Sequence, residues 1–164
     1  MNPLGETPTP HDIAVVSEHL GRPARDIVGI SARCVCGKPI VVVTKPRLGD
    51  GTPFPTLYYL TQLAATQAAS RLEADGVMAK YQSDLADSDE ARAAYALAHD
   101  SYIATRETID QVEEVAGVSA GGMPDRVKCL HALMAHSLSV GQGVNPVGDW
   151  ALADTPWSAD LCHC

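Results

Sequence analysis

The sequence predicts an α+β fold, in which a small antiparallel β-sheet over about residues 26–61 packs against a predominantly α-helical bundle over about residues 62–140. Runs of branched apolar residues separated by turn-forming residues occupy the first part. Residues 64–104 then contain thirteen alanines, and alanine is the strongest helix former. Strands and helices in separate runs along the chain are typical of the α+β class.

Each predicted strand is a short run with turn signals at its ends. A helix over residues 11–20 comes first and is ended by Gly21. Strands are predicted over residues 26–32 and 39–44, and residues 33–38 form the turn between them. A third strand is predicted over residues 56–61, after a turn rich in glycine and proline.

The second part of the sequence, from residue 62 onward, predicts four helices. They cover residues 62–75, 77–85, 88–108 and 124–140, and Pro124 suits the first position of the last one. That helix is apolar on two opposite faces, which predicts a central position in the bundle. The remaining residues are rich in glycine and proline and hold both tryptophans.

Length and composition limit the class of protein. The 164 residues suffice for one domain over 1–164, with 1–10 and 150–164 as candidate loose tails. We expect a cytoplasmic protein that no membrane anchors, because the first residues lack a signal-peptide pattern and no apolar run approaches about 18 residues. Its thiols are therefore expected to be reduced. The net charge of −8 argues against nucleic acid as a partner.

Three longer stretches carry a resemblance to a known family. They are Gly-Thr-Pro-Phe-Pro-Thr-Leu-Tyr-Tyr-Leu-Thr at 51–61, Gly-Gly-Met-Pro-Asp-Arg-Val-Lys-Cys-Leu-His at 121–131, and Gly-Val-Asn-Pro-Val-Gly-Asp at 143–149. Over about residues 13–149 the chain resembles a bacterial family catalogued as domain of unknown function number 501. The resemblance implies no assigned activity. It also implies a Cys-Pro pair after Tyr-Tyr-Leu-Thr, where this chain has Gln62 and Leu63.

The five cysteines predict a metal or thiol site. Cys34 and Cys36 lie on the predicted hairpin turn, a position that resembles a zinc knuckle with one intervening residue instead of two. Tetrahedral zinc takes four Cys or His ligands, and two ligand sets are open. One combines this pair with Cys129 and either His131 or His136. The other set consists of four thiolates: Cys34, Cys36, Cys162 and Cys164.

Helix geometry weighs against the ligand set that contains Cys129 and a histidine. Iron is also a weaker choice of metal than zinc. In one continuous helix, Cys129 and His136 lie about 10.5 Å apart along the axis, while Cys129 and His131 point about 200° apart. Ordinary burial of these three residues is the alternative. The absence of a clustered ferredoxin spacing disfavours an iron–sulfur cluster relative to zinc. A reactive thiol at Cys34 or Cys36 is a further alternative, because Arg33 and Lys38 lie nearby and positive charge lowers the pKa of a thiol. The Cys-x-Cys spacing, however, is not a thioredoxin-like motif.

A second candidate site is an anion site over residues 121–128. Gly121 and Gly122 lead into the predicted helix start, where free N–H groups favour phosphate. Arg126 and Lys128 supply positive charge. Arg33 is a further candidate, from residues 22–47, where six basic residues and one acidic residue give a net charge of +5. Asn145 and Asp149 are candidates for orienting a ligand, or else turn formers.

Two functional hypotheses follow. The first is a small cytoplasmic protein with a Cys-based metal or thiol site that binds an anionic small molecule; if it is an enzyme, phosphate-ester or phosphoanhydride chemistry suits it best. The second is a metal-free interaction or regulatory module with a protein partner. It is based on residues 73–114, which contain eleven acidic and three basic residues and so carry a net charge of −8.

Overall fold

The computed structural model describes residues 2–164 and has the α+β architecture that the sequence predicts. In chain order the described elements are α1 (Pro10–Leu20), β1 (Ile27–Arg33), β2 (Pro39–Thr44), β3 (Tyr58–Leu60), α2 (Leu63–Ala74), α3 (Val77–Asp87), α4 (Asp89–Glu107), a 3-10 turn (Glu113–Val115), α5 (Leu130–Val140) and α6 (Pro146–Asp154). Within these residues, no helix combines the length and the apolar character needed to cross a membrane.

The three strands form one antiparallel sheet in the order β1-β2-β3. Every residue of β2 is buried, which explains its uninterrupted apolar run: helices cover both faces of the central strand. On one face, Val16 of α1 packs against Ile30 and Val42. The other face packs against α5, which also contacts α2 and α6.

The start of α1 is fixed by a reciprocal cap. Thr9 accepts a hydrogen bond from the Asp12 backbone N–H, and the Asp12 carboxylate accepts one from the Thr9 N–H. Arg33 of β1 donates to both oxygens of the same carboxylate, at 2.7 and 3.1 Å. This ion pair holds the pKa of Asp12 well below its usual range and ties α1 to the sheet.

The helix predicted over residues 124–140 begins six residues later, at Leu130. Residues 121–129 form turns that neighbouring helices hold in place. Gln82 of α3 accepts from Val127 N at 2.9 Å and donates to Asp125 O at 3.0 Å, and the Tyr95 hydroxyl donates to Arg126 O. These side chains satisfy backbone groups that a helix would otherwise pair internally. The prediction of a central helix is confirmed, since seven of its eleven residues are buried.

The C-terminal region contains a helix that the sequence did not predict. Asn145 caps α6 by accepting from Gly148 N, and Pro146 occupies the first turn. Gly148 permits the close approach of α6 to α5, because a Cβ there would lie 2.2 Å from Leu133 O. Residues 150–154, which we considered a candidate tail, belong to this helix, and Trp157 beyond it is buried.

The buried arginine of α4 generates a stability prediction. Arg106 is 1% exposed and donates to Pro55 O at 2.8 Å and to Val115 O at 2.7 Å. Arg106→Met leaves both carbonyls without this donor, so we expect the free energy of unfolding to fall by about 2–4 kcal/mol in urea titrations.

Arg92→Met on the same helix is the matched control. Arg92 is half-exposed and contacts Asp89 and the end of α3, so its loss should cost less than about 1 kcal/mol. Equal losses for the two variants would contradict the structural role of Arg106.

Candidate functional site

The turn between β1 and β2 presents two thiols. Cys34 follows the last residue of β1, and its carbonyl accepts a hydrogen bond from Gly37 N at 2.7 Å. Gly37 has φ +88°, a left-handed conformation that favours glycine at this turn position. Arg33 donates to the Gly37 carbonyl and so braces the turn from the sheet side. Cys34 is buried and Cys36 is exposed.

The C-terminal segment returns to this turn. Val35 N donates to Ala159 O at 3.0 Å, and the buried Trp157 indole donates to the Gln62 side chain at 3.0 Å. These two contacts bring Cys162 and Cys164 beside the hairpin thiols. The sulfurs of Cys34, Cys36, Cys162 and Cys164 all lie within 4.8 Å of one another. We call these four residues the thiol cluster.

The spacing of the thiol cluster suits a single tetrahedral ion. Four sulfurs at about 2.3 Å from zinc lie about 3.8 Å from one another. The Cys36 and Cys164 sulfurs are 3.6 Å apart, well beyond the length of a disulfide, about 2.05 Å. All five cysteines are free thiols. The cluster could therefore hold a metal ion with the cysteines as its ligands.

The surroundings of Cys36 and Cys164 shift the pKa values of these two thiols in opposite directions. A hydrogen bond from the Lys38 backbone N–H lowers the pKa of Cys36 to about 7. Partial desolvation of its sulfur raises the pKa of Cys164 to about 11. Two thiolates this close together would repel each other. A bound cation would remove that conflict.

Of the two predicted ligand sets, the structure brings together the four-thiolate one. Cys129 and His131 lie together at a different place, with Glu73. His136 is fully buried in the core, where its Nδ1 lies 3.1 Å from Asn145 Nδ2 and its ring stacks on Tyr58. Position 62, where the family resemblance implies a cysteine, lies against the thiol cluster: Gln62 Nε2 donates to Cys164 Sγ at 3.0 Å.

The second group of side chains was not predicted as a unit. Ligand atoms of Glu73, Cys129 and His131 lie within 4.8 Å of one another. Cys129 and His131 would point about 200° apart only if both lay in one continuous helix. Cys129 is instead the N-cap of α5, with an extended φ of −148°, so it does not follow the helical rotation. Contact with His131 lowers the pKa of the Cys129 thiol, and contact with Cys129 raises the pKa of His131 to about 9.

The later start of α5 changes the surroundings of the predicted anion site, which stays a prediction. Arg126 and Lys128 are exposed and precede the helix. The first helical N–H group, that of Leu130, already donates to a carboxylate oxygen of Glu73 at 2.8 Å. Gly121 and Gly122 serve packing instead, since a Cβ on either would come within 2.6 Å of Leu133 or Arg126.

Three other predicted ligand-binding residues have structural partners. Arg33 pairs with Asp12 and Glu6, so its charge is already compensated. Asn145 is the α6 cap, and Asp149 accepts from Gly143 N at 2.7 Å. The sequence analysis weighed the turn-forming role for the last two, and the structure assigns them that role.

A cleft of about 490 Å³ opens between the end of α1 and the sheet, and Arg22 and Arg25 line it together with Phe54 and Tyr59. Both arginines belong to residues 22–47, where six basic residues and one acidic residue give a net charge of +5.

Residues 30–153 match the family described as "Protein of unknown function (DUF501)". The chain belongs to this family. The match includes the hairpin thiols and the whole of the Glu73, Cys129 and His131 group, whereas Cys162 and Cys164 lie beyond it. No curated protein and no solved structure is detectably similar to the chain.

The buried histidine generates a pH prediction. Because Asn145 Nδ2 is a donor, the Nδ1 of His136 accepts, and its Nε2 has no hydrogen-bond partner. Burial lowers the pKa of His136 to about 4, below its value in the unfolded chain, about 6.5. The unfolded chain therefore binds the proton first as the pH falls, and we expect up to about 3 kcal/mol of stability to be lost between pH 7 and pH 4.

Comparison with His136→Phe isolates this contribution. The variant keeps the aromatic stack and cannot titrate, so its free energy of unfolding should depend less on pH over that interval. Identical pH dependence in the two proteins would contradict a neutral, buried His136.

Proposed function

We propose that the protein binds one zinc ion through Cys34, Cys36, Cys162 and Cys164, and that this ion fastens the C-terminal segment to the β1–β2 hairpin. The observation that carries the proposal is the convergence of four sulfurs from two segments more than a hundred residues apart. Thiols of unrelated segments approach this closely in a reducing compartment chiefly where they share a metal.

Zinc suits this donor set better than the alternatives. Four thiolates in a tetrahedron are typical of structural zinc. The sulfur separations, all below 4.8 Å, suit one ion. A multi-iron cluster would place some of its ligands on different metal atoms and so further apart. Calcium and magnesium select oxygen ligands, which the thiol cluster does not offer.

The role proposed for the ion is structural. Four protein ligands complete the coordination of zinc and leave no position for water or substrate. The ion would link the exposed segment that carries Cys162 and Cys164 to the β1–β2 turn, which Arg33 already stabilises by a hydrogen bond. Without it, the segment after the buried Trp157 is held by few contacts with the hairpin, among them the bond from Val35 N to Ala159 O.

The anion-binding part of the initial hypothesis does not enter this proposal, because Glu73 occupies the helix start on which it depended. The interaction hypothesis for the acidic helices stays a prediction. In α3 and α4, Asp84 pairs with Lys80 and Asp89 with Arg92, so part of the acidic charge is compensated locally.

Elemental analysis of the untagged protein, purified anaerobically with a reductant and without chelator, tests the zinc site. We expect about one zinc per chain. Cys36→Ser and Cys164→Ser should each reduce this to below about 0.2 per chain after dialysis, because three ligands hold zinc far less tightly than four. Cobalt in place of zinc should give the strong visible absorption of a tetrahedral thiolate site.

Cys129→Ser is the matched control, since it removes a thiol outside the thiol cluster and should leave the zinc content unchanged. Absence of metal from the reduced protein would overturn the proposal. So would intact-mass and peptide analysis showing two disulfides among the four cysteines of the protein as purified.

A further inference from the structure

We propose that Cys129, His131 and Glu73 form a nucleophilic thiol site, independent of the thiol cluster, that accepts uncharged acyl groups from esters or thioesters. The three side chains come from two helices. Glu73 lies in the last turn of α2, His131 in the first turn of α5, and Cys129 immediately before α5. Their functional atoms lie within 4.8 Å of one another.

His131 is held by partners on both ring nitrogens. Its Nδ1 lies 3.1 Å from Glu73 Oε1, and its Nε2 lies 3.0 Å from the hydroxyl of Ser70. Ser70 and Glu73 are three residues apart on α2 and therefore share one face of that helix. The carboxylate, the imidazole and the thiol, with their functional atoms within 4.8 Å of one another, are the residue types that supply the orienting group, base and nucleophile of nucleophilic catalysis.

The position of Cys129 favours its thiolate. The residue caps the N-terminus of a helix, where the helix dipole stabilises negative charge. The backbone N–H of Ala132 faces the sulfur, and contact with His131 is the largest cause of its lowered pKa. The charged groups facing this thiol are His131 on α5 and Glu73 on α2; the carboxylate opposes the thiolate, and the histidine outweighs it.

The site is accessible and adjoins a cleft. The side chains of His131 and Glu73 are 31% and 26% exposed, and Cys129 is partly buried. Cys129 and His131 line a cleft of about 430 Å³. The rest of its lining is neutral: Thr56, Tyr58, Tyr59, Leu60, Thr66 and Ala132.

The residues that line this cleft indicate which of the reactions of a thiolate suits the site. No arginine or lysine lines the cleft, so it lacks the charges that would neutralise a phosphoryl group. The other four cysteines lie in the thiol cluster, so no second thiol faces Cys129 to resolve a disulfide. An uncharged acyl group fits both the neutral lining and a solitary thiolate.

The chemical step is acyl transfer. The Cys129 sulfur attacks the carbonyl carbon of the ester, so a carbon–sulfur bond forms and the bond to the leaving oxygen or sulfur breaks. His131 gives its proton to the leaving group. Water then attacks the carbonyl carbon of this thioester while His131 accepts a proton from it; the carbon–sulfur bond breaks, which releases the acid and regenerates the Cys129 thiolate beside protonated His131.

The first experiment measures alkylation of Cys129 by iodoacetamide in the full-length, zinc-loaded protein, by mass spectrometry of the peptide that contains this residue. An ordinary thiol with a pKa of about 8.5 reacts about 75-fold more slowly at pH 6 than at pH 8. We expect a decrease well below about 75-fold for Cys129, because contact with His131 lowers the pKa of its thiol. His131→Asn should restore the steep dependence.

Two further variants separate chemistry from folding. Glu73→Gln keeps an oxygen that can accept from Leu130 N, so α5 stays capped, while the orienting charge is lost. We expect alkylation of this variant at pH 6 to be at least as fast as in the unchanged protein, because a charge that repels the thiolate is removed. Acylation of Cys129 by an ester should be about three- to tenfold slower, because His131 is no longer oriented. His99→Asn is the matched control: His99 lies on α4 and bonds Ser119, so its loss should leave the Cys129 profile unchanged.

The second experiment uses 4-nitrophenyl butyrate and its charged counterpart, mono-4-nitrophenyl succinate. We expect a burst of one equivalent of 4-nitrophenolate per chain from the butyrate, a butyryl adduct on the Cys129 peptide, and at least a tenfold slower reaction with the succinate. Cys129→Ala should abolish the burst. An ordinary pH profile for Cys129, or an adduct distributed over the other cysteines, would overturn the proposal.

Discussion

The contact between Glu73 and the first turn of α5 is the constraint on which much of the molecule depends. A buried helix needs acceptors for the N–H groups of its first turn, and Glu73 supplies one to Leu130 from the neighbouring α2. The contact sets both where α5 begins and how it lies against α2. From that position α5 packs on the sheet and on α6.

The two thiol sites arise from different physics. The thiol cluster depends on chain closure, since the C-terminal segment must return to a hairpin near the start of the chain, and the buried indole of Trp157 on Gln62 guides it there. The site at Cys129 depends on where α5 begins and on Glu73 of α2. It exists because the helix starts one residue after the cysteine, which turns that side chain toward His131 and away from the helical path.

Buried polar side chains fix how the elements meet. Arg106 joins α4 to two carbonyls of flanking loops, and Asn145 joins the cap of α6 to His136 of α5. Each contact is satisfied in only one arrangement of its neighbours, because an unpaired buried polar group is costly. Arg33 acts similarly at the surface, where it links α1, the sheet and the turn that carries Cys34.

The sequence by itself determined the α+β class, the three strands, the helices up to residue 108 and the family, because runs of branched apolar residues, alanine content and turn residues act locally. It also supplied the four-thiolate set as one of two alternatives. Only the tertiary structure decided between them, since sulfur separations depend on where the chain returns. It likewise decided that α5 starts at Leu130 and that Glu73 completes a site with Cys129 and His131. Those outcomes rest on side chains of distant helices, which no local pattern encodes.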